Sequence, residues 1–400
     1  MIHSPLTRRS LAALIAAPLL GRAVRAADIP LRIGVLTDET GPYADSGGPG
    51  SVLAAQMAAA DFGGHVLGRP IEILHADHQN KPDIAAAIAG HWYDEGGVDA
   101  IIDLPVTAIA LAVQQAAKTR QKTVMITAAA TSDLTAKFCM PVSTHWADDT
   151  HALTAGTAQA VLAGGAKSWF FITVDHAFGR AMQRDASAVI EAGGGKVLGA
   201  ARHPIGESDF APFLLQARAS GATAIGLASV GGDLVNLIKQ AREFGLLQTG
   251  GPVMVGFLTY ITDINALGLP LTQGLTFSAG FYWDQSESAR RFGERFMRAR
   301  RAMPTKNQAA IYTATLHYLR ACAAAQSAAA LSANRAMRAL PIDYFGHPAR
   351  IRDDGRVIYD LILYRVKTPA ASHAPWDYYE KLANIAGDSA FLPENPACKG

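Results

Sequence analysis

Leu31-Arg32-Ile33-Gly34-Val35-Leu36-Thr37 leads through a Gly-rich loop, Gly47-Gly48-Pro49-Gly50, into the Ala-rich run Val52 to Phe62. This stretch reads as strand, turn and helix, and the same grammar repeats along the chain. Ile71 to His75, Ala100 to Leu104, Val124 to Thr127, Trp169 to Val174, Lys196 to Ala201, Ala224 to Ser229 and Val253 to Phe257 have the length and β-branched or aromatic content of strands. Asp83 to Glu95, Ala108 to Thr119, Thr150 to Ala163, Ala181 to Glu191, Phe210 to Ala219 and Asp233 to Phe244 read as the intervening helices. Such alternation predicts an α/β fold with parallel sheets covered by helices on both faces. Gly193-Gly194-Gly195 and Gly231-Gly232 mark turns. In open sheets of this kind a ligand sits outside the carboxyl ends of the strands.

At 400 residues the chain exceeds one comfortable domain, and two smaller sheets suit it better than one of a dozen strands. The polar, aromatic-bearing stretch Pro141 to Asp149 interrupts the rhythm and suggests the boundary. Charged residues make up 18% and the formal net charge is +2, which argues against nucleic acid as a partner. The basic cluster Arg290 to Arg301 carries Phe292, Phe296 and Met297 at helical spacing and reads as a solvated helix face. Arg8 and Arg9, the apolar run Leu11 to Leu20 and the small-residue exit before Ala27 form a secretory signal over residues 1–26. Thr7-Arg8-Arg9-Ser10-Leu11 approaches a twin-arginine motif, although Ala13 stands where a basic residue is usual. The apolar run is too short to span a bilayer, and no cysteine follows it to carry a lipid. Export makes a disulfide permissible. Cys139 and Cys398 lie beside turn-forming residues and are expected to pair, with Cys322 a buried free thiol in the helix Tyr312 to Leu331.

Catalytic and cofactor motifs are thin. Ala166 stands where a phosphate loop needs glycine before Lys167-Ser168, and Leu53 stands where a dinucleotide fingerprint needs its third glycine. Ser229 has one residue too many before it for a nucleophile elbow. His75, Asp77 and His78 are the nearest approach to a metal set, but no second ligand pair follows at a standard spacing. Asp353-Asp354-Gly355 reads as a turn between two strands. No metal, cofactor or catalytic residue is expected, and the chain reads as a binding protein.

In order, Gly41-Pro42, Asp61-Phe62-Gly63-Gly64, Gly68-Arg69-Pro70-Ile71-Glu72, Ala76-Asp77-His78-Gln79-Asn80-Lys81-Pro82-Asp83, Ala128 to Thr135, Asp175-His176-Ala177-Phe178-Gly179-Arg180 and Gln240 to Leu246 resemble the type I periplasmic binding proteins of the Leu/Ile/Val-binding family. The resemblance runs from Leu31 to about Tyr364. It implies two Rossmann-like lobes joined by a three-crossing hinge, with crossings near Trp146, Ser278 and Asp343. The first lobe then takes 27–146 and 279–343, and the second takes 147–278 and 344–400 with the tail. It further implies a monomeric receptor in the periplasm that closes on a small molecule and presents it to the permease and ATPase subunits of an ABC importer.

The family's contacts carry over where the motifs match. Thr107 and Ala108, at a helix start, resemble the segment that receives the ligand carboxylate, where free N–H groups and the helix dipole converge. Ala129 and Thr131 match the next contact segment. Phe178 stands where a tyrosine is common. Leu258 replaces the acid that meets an amino acid's ammonium group, and Val230 with Gly231 replaces a tyrosine. A buried ammonium without a partner is costly. The expected ligand is therefore an organic acid with an apolar or aryl body, walled by Trp146, Phe178, Leu258, Tyr260, Phe281, Tyr282 and Trp283, with a polar contact from Ser46. With Phe281-Tyr282-Trp283-Asp284 and a C-terminal cysteine, the chain resembles a subgroup whose relatives take up aromatic or other hydrophobic carboxylates. The alternatives are an amino acid, with Asp148, Asp149, Asp233, Asp263 or Asp284 supplying the missing carboxylate, a ligand sensor for a signalling kinase, and, least supported, an enzyme.

Overall fold

The computed structural model describes residues 1–2, 29–247 and 250–398, so the expected signal segment falls almost wholly outside the described residues. The first body runs β1 (Leu31–Thr37), α1 (Gly48–Asp61), β2 (His65–Val66), β3 (Arg69–Asp77), α2 (Pro82–Asp94), β4 (Val98–Asp103), α3 (Thr107–Arg120), β5 (Thr123–Ile126), α4 (Asp133–Ala136) and β6 (Ser143–His145). Its sheet has the order β2-β3-β1-β4-β5-β6, parallel except for the β2 edge. Ile33 stands opposite Ile73 on one side and Ala100 on the other. Alternate residues face opposite layers: Ile33, Val35 and Ile102 enter one core, while Leu36, Ile101 and Val124 enter the other. Both faces are therefore buried, as the near-continuous apolar strands require.

The chain then enters a second body: α5 (Thr150–Ala163), β7 (Ser168–Val174), α6 (Ala177–Ala192), β8 (Lys196–His203), α7 (Ala211–Ala219), β9 (Ala224–Ala228), α8 (Gly232–Glu243), β10 (Val253–Gly256), α9 (Ile261–Leu267), α10 (Leu269–Thr272) and β11 (Thr276–Ala279). Its parallel sheet has the order β10-β9-β7-β8. Trp169, Phe171 and Phe257 stack on one face, and Phe170, Ile172 and Leu227 pack on the other.

After β11 the chain returns to the first body as α11 (Glu287–Arg300), α12 (Lys306–Ala325) and α13 (Ala330–Ala339). A small antiparallel sheet follows: β12 (Ile342–Tyr344), β13 (His347–Ile351) and β14 (Val357–Ile358), with Asp353-Asp354-Gly355 in the turn before β14. This corrects one expected boundary. Residues 344–358 belong with the first body, because Tyr344, Phe345, Ile351, Val357 and Ile358 pack into the core shared by α1, α12 and α13. The third passage falls at Tyr359-Asp360, not at Asp343. Beyond it, β15 (Leu361–Val366) and β16 (Tyr379–Ile385) pair antiparallel with β11 in the second body, and α14 (Gly387–Ala390) ends the regular structure.

The tail does not stay with the second body either. Arg352 donates to the Leu392 carbonyl at 2.7 Å, the Arg356 guanidinium lies 4.4 Å from the Phe391 ring centre, and Cys398 is bonded to Cys139, with Cα atoms 5.9 Å apart. Buried apolar and cationic surface on the first body draws the tail back. Cys322 is a buried free thiol.

The first three passages between the bodies meet at one carboxylate. Asp148, on the first passage, accepts from the Gly280 N–H of the second at 3.1 Å and from the Tyr359 hydroxyl of the third at 2.8 Å. Lys306 Nζ, at the start of α12, lies 3.1 Å from it. A Cβ at position 280 would lie 2.3 Å from the Tyr359 ring, so the second passage needs glycine there.

Candidate functional site

In each parallel sheet the strand order reverses beside the first strand laid down, at β1/β4 in the first and β7/β9 in the second. Loops diverge at such a reversal and leave a crevice. The two crevices face each other and form one cleft, lined by Tyr43 and Ser46 after β1, Pro105, Val106 and Thr107 after β4, and Ala128 and Ala130 after β5. From the second body come His176 and Phe178 after β7, Val230 after β9, and Leu258 and Tyr260 after β10; Asn307 of α12 completes the wall. The cleft holds about 390 Å³ of empty space, its mouth included. A larger hollow of about 730 Å³ lies between α11 and α12, away from the strand ends.

Among the described residues, the wall carries no Asp, Glu, Lys or Arg. Its polar groups are hydroxyls, an imidazole and an amide. Thr107 opens α3, its hydroxyl is buried without a partner, and no side chain of the described residues caps that helix. The first-turn N–H groups of a helix lack internal acceptors, so an uncapped start beside a free hydroxyl suits an anion. Burial pushes the Tyr43 and Tyr260 phenols well above their ordinary range, and both stay protonated.

The two bodies touch across the cleft. Asn307 Nδ2 donates to the Tyr260 hydroxyl at 3.0 Å, and Lys306 Nζ sits 5.5 Å above the Tyr260 ring. At the cleft's side, Ser132 Oγ donates to Asp185 at 2.7 Å, and Arg184 reaches Asp133 at 3.1 Å.

Of the residues expected from sequence, Ser46, Thr107, Phe178, Val230 and Leu258 come together in this wall. The others lie elsewhere. Ala108 is exposed and does not line this wall. Ala129 has its N–H given to the Leu104 carbonyl and its own carbonyl engaged by His145, so its neighbours Ala128 and Ala130 face the cleft instead. Thr131 is buried behind the wall and accepts from the Asp133 N–H. Trp146 is wholly buried in the first body's core, donating to Thr144. Tyr282 donates to the Trp376 carbonyl and lines a separate narrow crevice behind Tyr260, with Phe277, Phe281, Lys306 and Tyr379. Trp283 donates to the same carbonyl, so the Phe-Tyr-Trp run fills core and hinge.

The acids proposed as substitutes are engaged elsewhere too. Asp148 ties the hinge, Asp149 caps α5, Asp233 accepts from the Gly206 N–H, Asp263 accepts from the Tyr260 N–H, and Asp284 pairs with Arg290. His75 pairs with Glu39, while burial holds the His78 imidazole down to about 4; the described residues contain no metal-binding cluster. Tyr43, His176 and Asn307 were not anticipated. Position after a strand end was a usable signal for the first two. Nothing local marks Asn307, which arrives from a helix late in the chain.

Residues 30–372 match the model of the periplasmic binding protein family. The chain belongs to this family. A periplasmic binding protein from Burkholderia mallei, of known crystal structure, is 43% identical and superposes over 92% of this chain and 98% of its own with a TM-score of 0.89. A branched chain amino acid ABC transporter periplasmic ligand-binding protein from Burkholderia xenovorans is 38% identical, covering 91% of this chain and 97% of that one with a TM-score of 0.81. Both likenesses extend over the two bodies, which are the two lobes of the type I fold. The Leu/Ile/Val-binding protein homolog 6 of Brucella melitensis is 26% identical over 241 residues, 60% of this chain and 61% of that relative. The chain thus matches about three fifths of the length of these curated relatives. No helix of the described residues is long and apolar enough to cross a membrane.

Proposed function

We propose that this protein is the periplasmic solute-binding component of an ABC importer, capturing a small organic acid with an apolar or aryl body between its lobes and delivering it to permease and ATPase subunits. In this reading the chain is exported by its N-terminal signal, acts as a monomer and catalyses nothing. The lobes divide at Trp146 to Asp149, at Gly280 to Tyr282 and at Tyr359-Asp360, with Asp148 as the pivot. Ligand contacts to both lobes favour the closed form by their differential affinity for it.

The observation that carries the ligand class is the composition of the cleft wall: an uncapped helix start with a free buried hydroxyl at Thr107, and no ionised side chain opposite it. The first suits a carboxylate. The second leaves an ammonium group without a partner, which costs several kcal/mol, on the order of the penalty for a buried unpaired charge. An amino acid remains the second reading because the Burkholderia xenovorans relative carries that description. It requires one of the engaged aspartates to turn into the cleft.

A thermal-shift panel of benzoate, 4-hydroxybenzoate, hexanoate and leucine separates the two, since a ligand of the native state raises the melting midpoint by mass action. Stabilisation by the acids without an amino group, reduced at least tenfold in affinity by Thr107→Val, is expected. Stabilisation by leucine alone would overturn the ligand class.

A further inference from the structure

Beside Thr107, one other buried side-chain polar atom of the cleft wall has no partner among the described residues: Nε2 of His176. The ring's other nitrogen fixes its chemistry. Nδ1 accepts the Phe178 N–H at 3.2 Å, capping the start of α6, so Nδ1 carries a lone pair and no proton. In a neutral imidazole the proton then sits on Nε2, which becomes a donor. Burial comes first among the effects that keep the ring neutral, helped by His203 and Arg180 and opposed by Asp175; together they lower its ionisation to about 4. A buried N–H without an acceptor is costly, and nearly all such groups in native proteins find one.

His176 and Thr107 stand on opposite lobes, each at the start of a helix. A bound acid that engages both bridges the cleft through its oxygens, and a neutral donor rewards an acceptor while offering nothing to an ammonium group. From this geometry we infer that His176 is a ligand-contacting, specificity-determining residue whose Nε2–H donates to an oxygen of the bound acid. The inference rests on the organic-acid reading above and adds to it the second lobe's share of recognition.

Calorimetric titration of benzoate and 4-hydroxybenzoate into the mature protein and two variants tests it. His176→Asn keeps the helix cap, because its short side-chain oxygen still accepts from the α6 start, but it does not reach the ligand. Its ligand-free melting midpoint should match that of wild type, while affinity falls about ten- to a hundredfold, as for the loss of a hydrogen bond to a charged or strongly polar acceptor. His176→Gln, whose amide extends as far as Nε2, should recover most of that loss. A loss confined to 4-hydroxybenzoate identifies the second oxygen as the acceptor, and an equal loss for both acids identifies the carboxylate; either supports the donor. Unchanged affinity of His176→Asn for acids that wild type binds overturns the inference alone. Failure of wild type to bind benzoate, 4-hydroxybenzoate or the hexanoate of the thermal-shift panel overturns the ligand class and the inference with it.

Discussion

Asp103, the last residue of β4, is wholly buried beneath the cleft floor, and it and Leu104 adopt φ of 92° and 65°. Two successive side-chain-bearing residues at positive φ store strain at the switch point of the first sheet. Burial pushes the carboxyl up to about 6, the Thr37, Ser51 and Thr127 hydroxyls hold it down, and Asp38 pushes it up further. Its ordinary value is 3.8, so between that and about 6 the folded state holds a proton the unfolded state has lost. The stability this provides is full below the unfolded value, falls as pH rises through the folded one, and amounts to on the order of 3 kcal/mol. Asp103→Asn removes that titration. Denaturant unfolding at several pH values should show the variant gaining on wild type from about pH 4 to about pH 7. Parallel pH profiles would mean that the carboxyl stays ionised in the fold.

Among the elements, the start of α8 shows how closely the lobes approach. Gly231 caps this helix at φ 61°, and a Cβ there would lie 2.8 Å from the Pro42 carbonyl on the opposite lobe. Glycine is needed twice, for the backbone angle and for the contact. Gly231→Ala should cost the ligand-free protein about 1 kcal/mol for the left-handed conformation. Its larger effect falls on closure. Ligand affinity should drop roughly tenfold, about 1.4 kcal/mol, and solution scattering should show a wider envelope in the presence of acid than wild type gives. An unaltered affinity would mean that lobes closed on ligand stand further apart at Pro42 than they do in this structure.

On the scale of the whole molecule, the Cys139–Cys398 bond joins residues 259 positions apart and holds the returning tail against the first lobe. Cross-links over loops this long restrict the unfolded chain and typically contribute about 2–5 kcal/mol. Replacing both cysteines with serine should lower the melting midpoint by several degrees, and reductant should bring wild type to the same value. Ligand affinity should hold, because both cysteines lie on the first lobe, outside the cleft wall. A midpoint unmoved by either treatment would assign the tail's attachment to Phe391, Arg352 and Arg356 instead.

The α/β alternation was legible because burial on both faces forces parallel strands to be apolar runs, and the expected helix Thr150 to Ala163 has the bounds of α5, whose start Asp149 caps. Thr107, Phe178, Val230 and Leu258 were named through the resemblance to the family's contact segments, and each stands in a loop or helix start after a parallel strand, where the chain reaches the cleft wall. The aromatic run Phe281-Tyr282-Trp283 misled, since rings look alike whether they wall a cleft or fill a core, and only the position of Trp376 settles where they point. Asn307, the return of 344–358 and the tail to the first lobe, and the meeting of three passages at Asp148 were decided by the tertiary structure. Each depends on contacts between segments far apart in the chain, which leave no local pattern to read. By itself the sequence determined the layers, the strand ends and the lack of an acid at Leu258; the packing of one lobe on the other determined which side chains share the cleft.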